Sequence, residues 1–280
     1  MKYCDLHTHS HYSDGTYSPA ELVSTAEAKG LSAIVLCDHN TVEGLGEFFA
    51  AAKGKALEAI GGVEFSTDYG DVELHIVGMF ITLEHLEAVD GMVTELRHRK
   101  EASNIALVEN LRSDGYDVDY NEIKAANPGI VNRAHIAANL VEKGYTGSIK
   151  EAFDTLLSKD GKYYVPAKRL DAFETIKFIK SIGMVAILAH PFLNLSEAEL
   201  REFLPRAIEC GLDGMETLYS DYDEQTTACA VRIAREFGIK ESGGSDFHGA
   251  RKPGIELGTG RGDLRVPDSL LQQLCSGIKN

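Results

Sequence analysis

Residues 2–39 read KYCDLHTHSHYSDGTYSPAELVSTAEAKGLSAIVLCDH, and three signals in this stretch set the fold. Residues 2–6 are a short strand-like run that stops at a polar cluster. Ser18-Pro19-Ala20-Glu21 is a helix start, with Ser18 as N-cap, proline at the first helical position and Glu21 placed to return a bond to the cap. Leu22, Val23, Ala26 and Ala28 carry that helix to Gly30, a residue suited to a left-handed helix end. Residues 33–37 then form a continuous apolar run, as in strands buried on both faces of a parallel sheet. Strand, helix and strand in that order predict an α/β architecture.

The alternation continues with a helix over 43–53, a strand over 57–60 and a strand over 72–81, where Glu73 and His75 alternate with Val72, Leu74 and Ile76. Towards the C-terminus the pattern predicts helices at 170–181, 196–210, 224–237 and 269–277, and strands at 184–189, 214–218 and 239–242. Ser196 and Glu199 repeat the capping signal. The count comes to about seven strands, mostly of βα type. Residues 83–168 break the rhythm: a long helical pattern at 83–111, a turn at Asp114-Gly115, and short helical stretches at 121–126, 134–142 and 148–157, without a buried strand. The expected organisation is an α/β barrel made of 1–82 and 169–280, with 83–168 as a helical insertion.

Composition agrees with a folded chain: 280 residues, 44% hydrophobic and 25% charged, exclude a disordered or collagen-like protein. The formal net charge of −15 would repel a phosphate backbone, so long nucleic acid is not an expected partner. Divalent cations would offset part of that charge. Five scattered cysteines with no C-x-x-C spacing argue against a disulfide framework and a thiolate zinc site. No apolar run reaches the roughly 18 residues of a membrane span, and the first residues are too polar for a signal peptide, so a cytoplasmic protein without a membrane partner is expected.

The position of the histidines carries the functional signal. His7 and His9 follow the first strand with Asp14 close behind, Asp38-His39 follow the second, Glu64 the third, His190 the fifth, and Asp246 and His248 the seventh, while His75 lies within the fourth. In a parallel barrel the C-terminal strand ends form one rim, where groups distant in sequence meet. Imidazole and carboxylate together suit zinc, manganese or iron at a hydrolytic centre. His85 and His98, on the polar helical segment, are read as ordinary solvated side chains.

As a set, Asp5-Leu6-His7-Thr8-His9-Ser10, Ser13-Asp14-Gly15, Cys37-Asp38-His39-Asn40, Gly62-Val63-Glu64, Ala189-His190-Pro191 and Gly244-Ser245-Asp246-Phe247-His248 resemble the ordered motifs of the polymerase and histidinol phosphatase (PHP) family. The resemblance implies a distorted (β/α)7 barrel and two or three divalent metal ions, Mn2+, Fe2+ or Zn2+. Carried over by motif, His7, His9, Glu64 and Asp246 would hold one ion, Asp14, His39 and His248 a second, and Glu64, His75 and His190 a third, with Glu64 bridging. Asp14, Glu64, Asp246 and His248 are the expected catalytic residues.

The insertion resembles that of PHP phosphoesterases acting on nucleoside 3′,5′-bisphosphates and 5′-phosphorylated oligonucleotides, through Asn132-Arg133-Ala134-His135 and Tyr164-Val165-Pro166-Ala167-Lys168. Arg133, His135 and Lys168 are the implied phosphate contacts, although those relatives carry Gly-Arg-Pro-His where this chain has Asn132 and Ala134. The expected activity is hydrolysis of a phosphate ester on a small phosphorylated nucleotide or sugar, first of all the 3′-phosphate of a nucleoside 3′,5′-bisphosphate. Alternatives are a ribose 1,2-cyclic phosphate diesterase, a 5′–3′ exonuclease on short RNA and, outside enzymes, a metal-stabilised binding module. Gly258-Thr259-Gly260-Arg261-Gly262 lacks the strand and helix that a phosphate-cradling loop requires, and reads as a surface loop.

Overall fold

The computed structural model describes residues 2–127, 131–158, 160–167 and 169–276. The chain divides into two units, Met1–Val93 with Leu170–Asn280, and Thr94–Arg169. The first unit is an α/β barrel. It holds β1 (Tyr3–Thr8), α1 (Pro19–Ala28), β2 (Ala33–Leu36), α2 (Leu45–Ala52), β3 (Glu58–Tyr69) and β4 (Val72–Ile81). A long helix, α3 (Leu86–Ser113), contains the boundary between the units. The second unit continues with α4 (Tyr120–Ala126), α5 (Arg133–Glu142) and α6 (Ile149–Asp154). The chain then supplies the first unit with β5 (Leu170–Asp171), α7 (Ala172–Ser181), β6 (Val185–Leu188), α8 (Glu197–Glu209), β7 (Gly214–Tyr219), α9 (Glu224–Phe237), β8 (Lys240–Gly244), β9 (Val266–Pro267) and α10 (Asp268–Cys275).

Local sequence explains these elements. Ser18 and Glu21 form the reciprocal cap of α1, and Ser196 and Glu199 that of α8. The sheet runs β8-β7-β6-β4-β3-β2-β1-β9, with β5 beside β3. Strands β1, β2 and β3 are parallel, as are β6, β7 and β8. β4, however, is antiparallel to both neighbours, β3 and β6.

The expected count of about seven strands is corrected by β5, a two-residue strand where the sequence predicts the start of a helix, and the third strand does not stop at residue 60. It runs on through Glu64 to Tyr69 and turns back at once into β4, with Tyr69 paired to Val72. Gly70 takes φ 60° in the two-residue turn, and Gly-Asp between two strand-forming runs is itself a hairpin signal. β9, a two-residue strand antiparallel to β1, is a further addition.

The sheet closes on itself where β1 meets the segment after β8. The Asp246 amide donates to His7 O at 2.9 Å, the His9 amide donates to Phe247 O at 3.0 Å, and Thr8 and Phe247 form a bridge. A buried cluster that includes Leu6, Val35, Ile60, Val77, Met79, Val185 and Ile187 packs together in this unit. Each such side chain contributes about 1.5–3 kcal/mol when fully buried. The helical unit has its own core, around Leu107, Leu111, Ile123, Ile136, Leu140 and Leu157.

Gly244 sets the closeness of the seam: a Cβ there would stand 2.4 Å from His7 Cβ and 2.5 Å from His7 N. Gly244→Ala therefore forces backbone apart and is expected to destabilise by about 3 kcal/mol. Gly46→Ala, within α2 and with nothing nearby for its methyl to meet, should instead stabilise by about 0.5–1 kcal/mol. Urea midpoints of the two variants check both signs.

Candidate metal centre

Glu64 lies midway along β3, wholly buried, and its main chain is tied to the segment after β2. The Glu64 amide donates to Asp38 O and the Asn40 amide donates to Glu64 O, which fixes His39 beside the carboxylate. Glu64 Oε1 lies 2.9 Å from His75 Nδ1 and 3.0 Å from His190 Nε2. Oε2 lies 3.0 Å from His39 Nδ1, 3.2 Å from His9 Nε2 and 3.3 Å from His7 Nε2. One carboxylate thus faces five imidazoles.

The same His9 nitrogen also lies 3.2 Å from Asp246 Oδ1. Asp14 Oδ1 lies 3.1 Å from His248 Nε2 and 3.8 Å from His39 Nε2. Among the described residues, four groups gather potential ligand atoms within 4.8 Å: His9, Asp14, His39 and His248; His7, His9 and Cys37; His7, Glu64 and His190; and His39, Glu64 and His75. The structure thus brings all nine sequence-predicted positions into one region. The motif-based sets also lie close together: Asp14, His39 and His248 share one group, Glu64 Oε1 faces both His75 and His190, and His9 Nε2 lies 3.0 Å from His7 Nε2 and 3.2 Å from both Glu64 Oε2 and Asp246 Oδ1.

These residues fit divalent cations. Glu64 Oε2 and Asp246 Oδ1 are buried and take part in no hydrogen bond, a costly state for an acceptor unless a cation satisfies it. Two ligand atoms each about 2.1 Å from one ion lie about 3–3.5 Å apart, as these nitrogens and oxygens do.

Surrounding groups fix the orientation of the ligands. Glu216 on β7 accepts from His7 Nδ1 at 2.7 Å and from the His190 amide at 2.7 Å, so that His7 turns Nε2 towards Glu64. His248 Nδ1 donates to Asp246 O at 2.9 Å, which leaves Nε2 for Asp14. Tyr219 OH donates to Asp246 Oδ2 at 2.8 Å, and Lys252 Nζ lies 2.6 Å from the same oxygen. Asp38 accepts from the Ser10 amide, the Ser10 hydroxyl and the Ser13 hydroxyl, holding the loop that carries Asp14. Asp5 binds Ser245 and the Gly258 amide, so the glycine-rich loop at 258–262 is fastened to the base of β1. His190 and Asp246 have φ of 27° and 54°, and Asn40, next to His39, has φ of 50°. Such strain persists where surrounding contacts over-determine it.

The charges reinforce one another. Burial opposes ionisation of Glu64, but His39, His75 and His7 outweigh it and hold the carboxyl well below its usual range. The same balance, with His7 and His9 against burial, keeps Asp246 ionised. Burial pulls His75 down, Glu64 pushes it up further, and the net result is about 10. Burial, then the charge of Asp246, keeps the Tyr219 phenol protonated as a donor.

Arg133 and His135 belong to the other unit. Arg133 lies over the rings of Tyr164 and Phe153, at 4.6 and 5.5 Å, and donates to Leu157 O. His135 Nδ1 accepts from the Asn132 amide while the Asn132 side chain caps α5 in return. The helix cap explains asparagine at 132. Lys168 lies outside the described residues.

Sequence reasoning passed over Glu216, Tyr219 and Lys252. A signal existed for Glu216, a lone charge inside the apolar strand Gly214–Tyr219, because a charge buried there demands a partner.

The PHP domain model matches residues 5–166. A 5′-3′ exoribonuclease of Haemophilus influenzae is 34% identical over 245 residues, covering 87% of this chain and 89% of that protein. A 3′,5′-nucleoside bisphosphate phosphatase of Chromobacterium violaceum is 26% identical over 268 residues, 92% of this chain and 91% of the relative. A crystal structure from Bifidobacterium adolescentis, described as a metal-dependent phosphoesterase, superposes with a TM-score of 0.78 at 28% identity, covering 99% of this chain and 97% of that one. The exoribonuclease similarity overturns the expectation that long nucleic acid is not a partner. Net charge is a whole-molecule quantity, whereas an exonuclease needs only a chain end at a locally neutralised centre. Among the described residues no helix is long and apolar enough to cross a membrane.

Two predictions follow from the geometry. Glu216→Ala should weaken Mn2+ binding about 10–100-fold while leaving far-UV circular dichroism unchanged, as titration calorimetry of the metal-free protein will show. Because His75 holds its proton up to about 10, metal and protons compete. Mn2+ affinity should therefore rise from pH 6 to pH 8, with net proton release visible when calorimetry is repeated in buffers of different ionisation enthalpy.

Proposed function

The chain belongs to the PHP family and is a metal-dependent phosphoesterase, and from that premise we propose that it cleaves the bond between O3′ and phosphorus in a nucleotide that carries a 5′-phosphate. This reading accommodates two relatives named for different substrates. An exoribonuclease working from a 5′-phosphorylated end breaks the P–O3′ bond of the terminal nucleotide; a 3′,5′-bisphosphate phosphatase breaks the same bond with no chain beyond it. Short 5′-phosphorylated RNA and nucleoside 3′,5′-bisphosphates are then two lengths of one substrate.

The observation that supports this reading is the pair of orphaned carboxylate oxygens on Glu64 and Asp246 within a ring of imidazoles. His7, His9, Asp14, His39, Glu64, His75, His190, Asp246 and His248 are the proposed ligands of two or three divalent ions. When bound, such ions supply water acidified to neutral pH and positive charge for the phosphoryl oxygens. The protein's own part is orientation. Glu216 sets the tautomer of His7, and Tyr219 pins Asp246 Oδ2 so that Oδ1 turns inward. Asp38 ties down the loop that presents Asp14. Arg133, which keeps guanidinium donors beyond the one given to Leu157, is proposed for the 5′-phosphate, with His135 and Lys168 as further contacts.

Metal-replete protein should release nucleoside 5′-monophosphate from both a nucleoside 3′,5′-bisphosphate and a 5′-phosphorylated pentaribonucleotide, with the 5′-hydroxyl pentamer at least about tenfold poorer. Equal turnover of the two pentamers, measured by anion-exchange chromatography, refutes the specificity. Asp246→Ala and His9→Ala should each lower kcat by about a thousandfold or more with the fold retained, and activity within a few-fold of wild type would remove them from the centre.

A further inference from the structure

We propose that Lys252 is a direct contact for the scissile phosphoryl group, a role that rests on the phosphoesterase reading of the centre. Lys252 ends the short helical turn Gly249–Arg251 that follows His248, and its ammonium lies 2.6 Å from Asp246 Oδ2. A structural ion pair alone would account poorly for this placement. Asp246 Oδ2 already receives the Tyr219 hydroxyl at 2.8 Å, from a side chain that is itself buried, so the carboxylate is oriented without the lysine.

Exposure separates the two partners: the Asp246 side chain is 2% exposed and that of Lys252 37%. An ammonium has three donors, and the contact with Asp246 uses one. The lysine thus sits at the border between the buried centre and solvent, one carboxylate away from His9 and His7. Asp14, Glu64 and Asp246 make that centre strongly acidic, and a phosphate monoester or diester arriving from solvent is an anion. A flexible cation at this border offers it charge-assisted hydrogen bonds on its way to the ligand cluster.

The test uses the full-length, Mn2+-loaded protein with Lys252→Met, which keeps the stem and removes the charge, and Lys252→Arg, which keeps the charge. Inorganic phosphate is the probe, its affinity read by calorimetry and as competitive inhibition, alongside a Mn2+ titration of each metal-free protein. Lys252→Met should weaken phosphate binding about tenfold, with Mn2+ affinity within about threefold of wild type, and Lys252→Arg should recover most of the loss. A phosphate loss under about threefold overturns the proposal. So does a Mn2+ affinity that falls in step with phosphate, since the lysine would then act only through Asp246, and so does a failure of arginine to recover binding. Turnover of a nucleoside 3′,5′-bisphosphate by the wild type is measured separately: its absence would defeat the substrate reading, while the phosphate comparison would still decide the role of Lys252.

Discussion

A carboxylate without access to water, faced by five imidazoles, is the constraint around which this molecule is organised. Glu64 cannot be solvated where it sits, and an isolated charge at that depth would be expelled or neutralised. It persists because β1, the turn after β2, β4 and the turn after β6 each deliver a histidine to it. Those histidines are held in turn by Glu216, by main-chain bonds and by strained backbone at His190. The sheet order can be understood as the means of bringing these suppliers together: β4 runs against its neighbours so that His75, next to β3, reaches the same carboxylate as His190, next to β6.

Much of this was legible in the sequence because rims of α/β barrels collect the residues that terminate strands. His39 and His190 follow continuous apolar runs, His7 and His9 a short strand-like one, and the capping signals at Ser18 and Ser196 fix the helices between. What escaped has identifiable causes. The β3–β4 hairpin escaped because residues 61–69 mix glycine, threonine and charge, and the apolar pattern of a buried strand fades there although the ladder continues. β9 is too short to leave a periodic trace. Glu216 and Tyr219 hold candidate ligands in place, His7 and Asp246, and are not spaced as ligands themselves, so no ligand-spacing rule finds them. In the helical unit the chemistry of Arg133 and His135 suggested anion binding, while local packing also gives both a task within their own unit: one rests on aromatic rings and the other closes a helix cap.

The correction over nucleic acid is instructive in the same way. A formal charge of −15 describes the field far from the surface. Exonucleolytic chemistry asks a narrower question, namely what potential a single phosphate meets inside a cleft a few ångströms across. There, ions and a handful of cations decide, and the composition of the remaining surface is screened within about 10 Å at ordinary salt.

The seam between β1 and the segment after β8 has a consequence for synthesis. Its bonds join residues 7–9 to residues 246–247, the opposite ends of the ligand set. A ribosome releases the first histidines early, yet their surroundings cannot be completed until residues 246–247, more than two hundred positions later, have emerged as well.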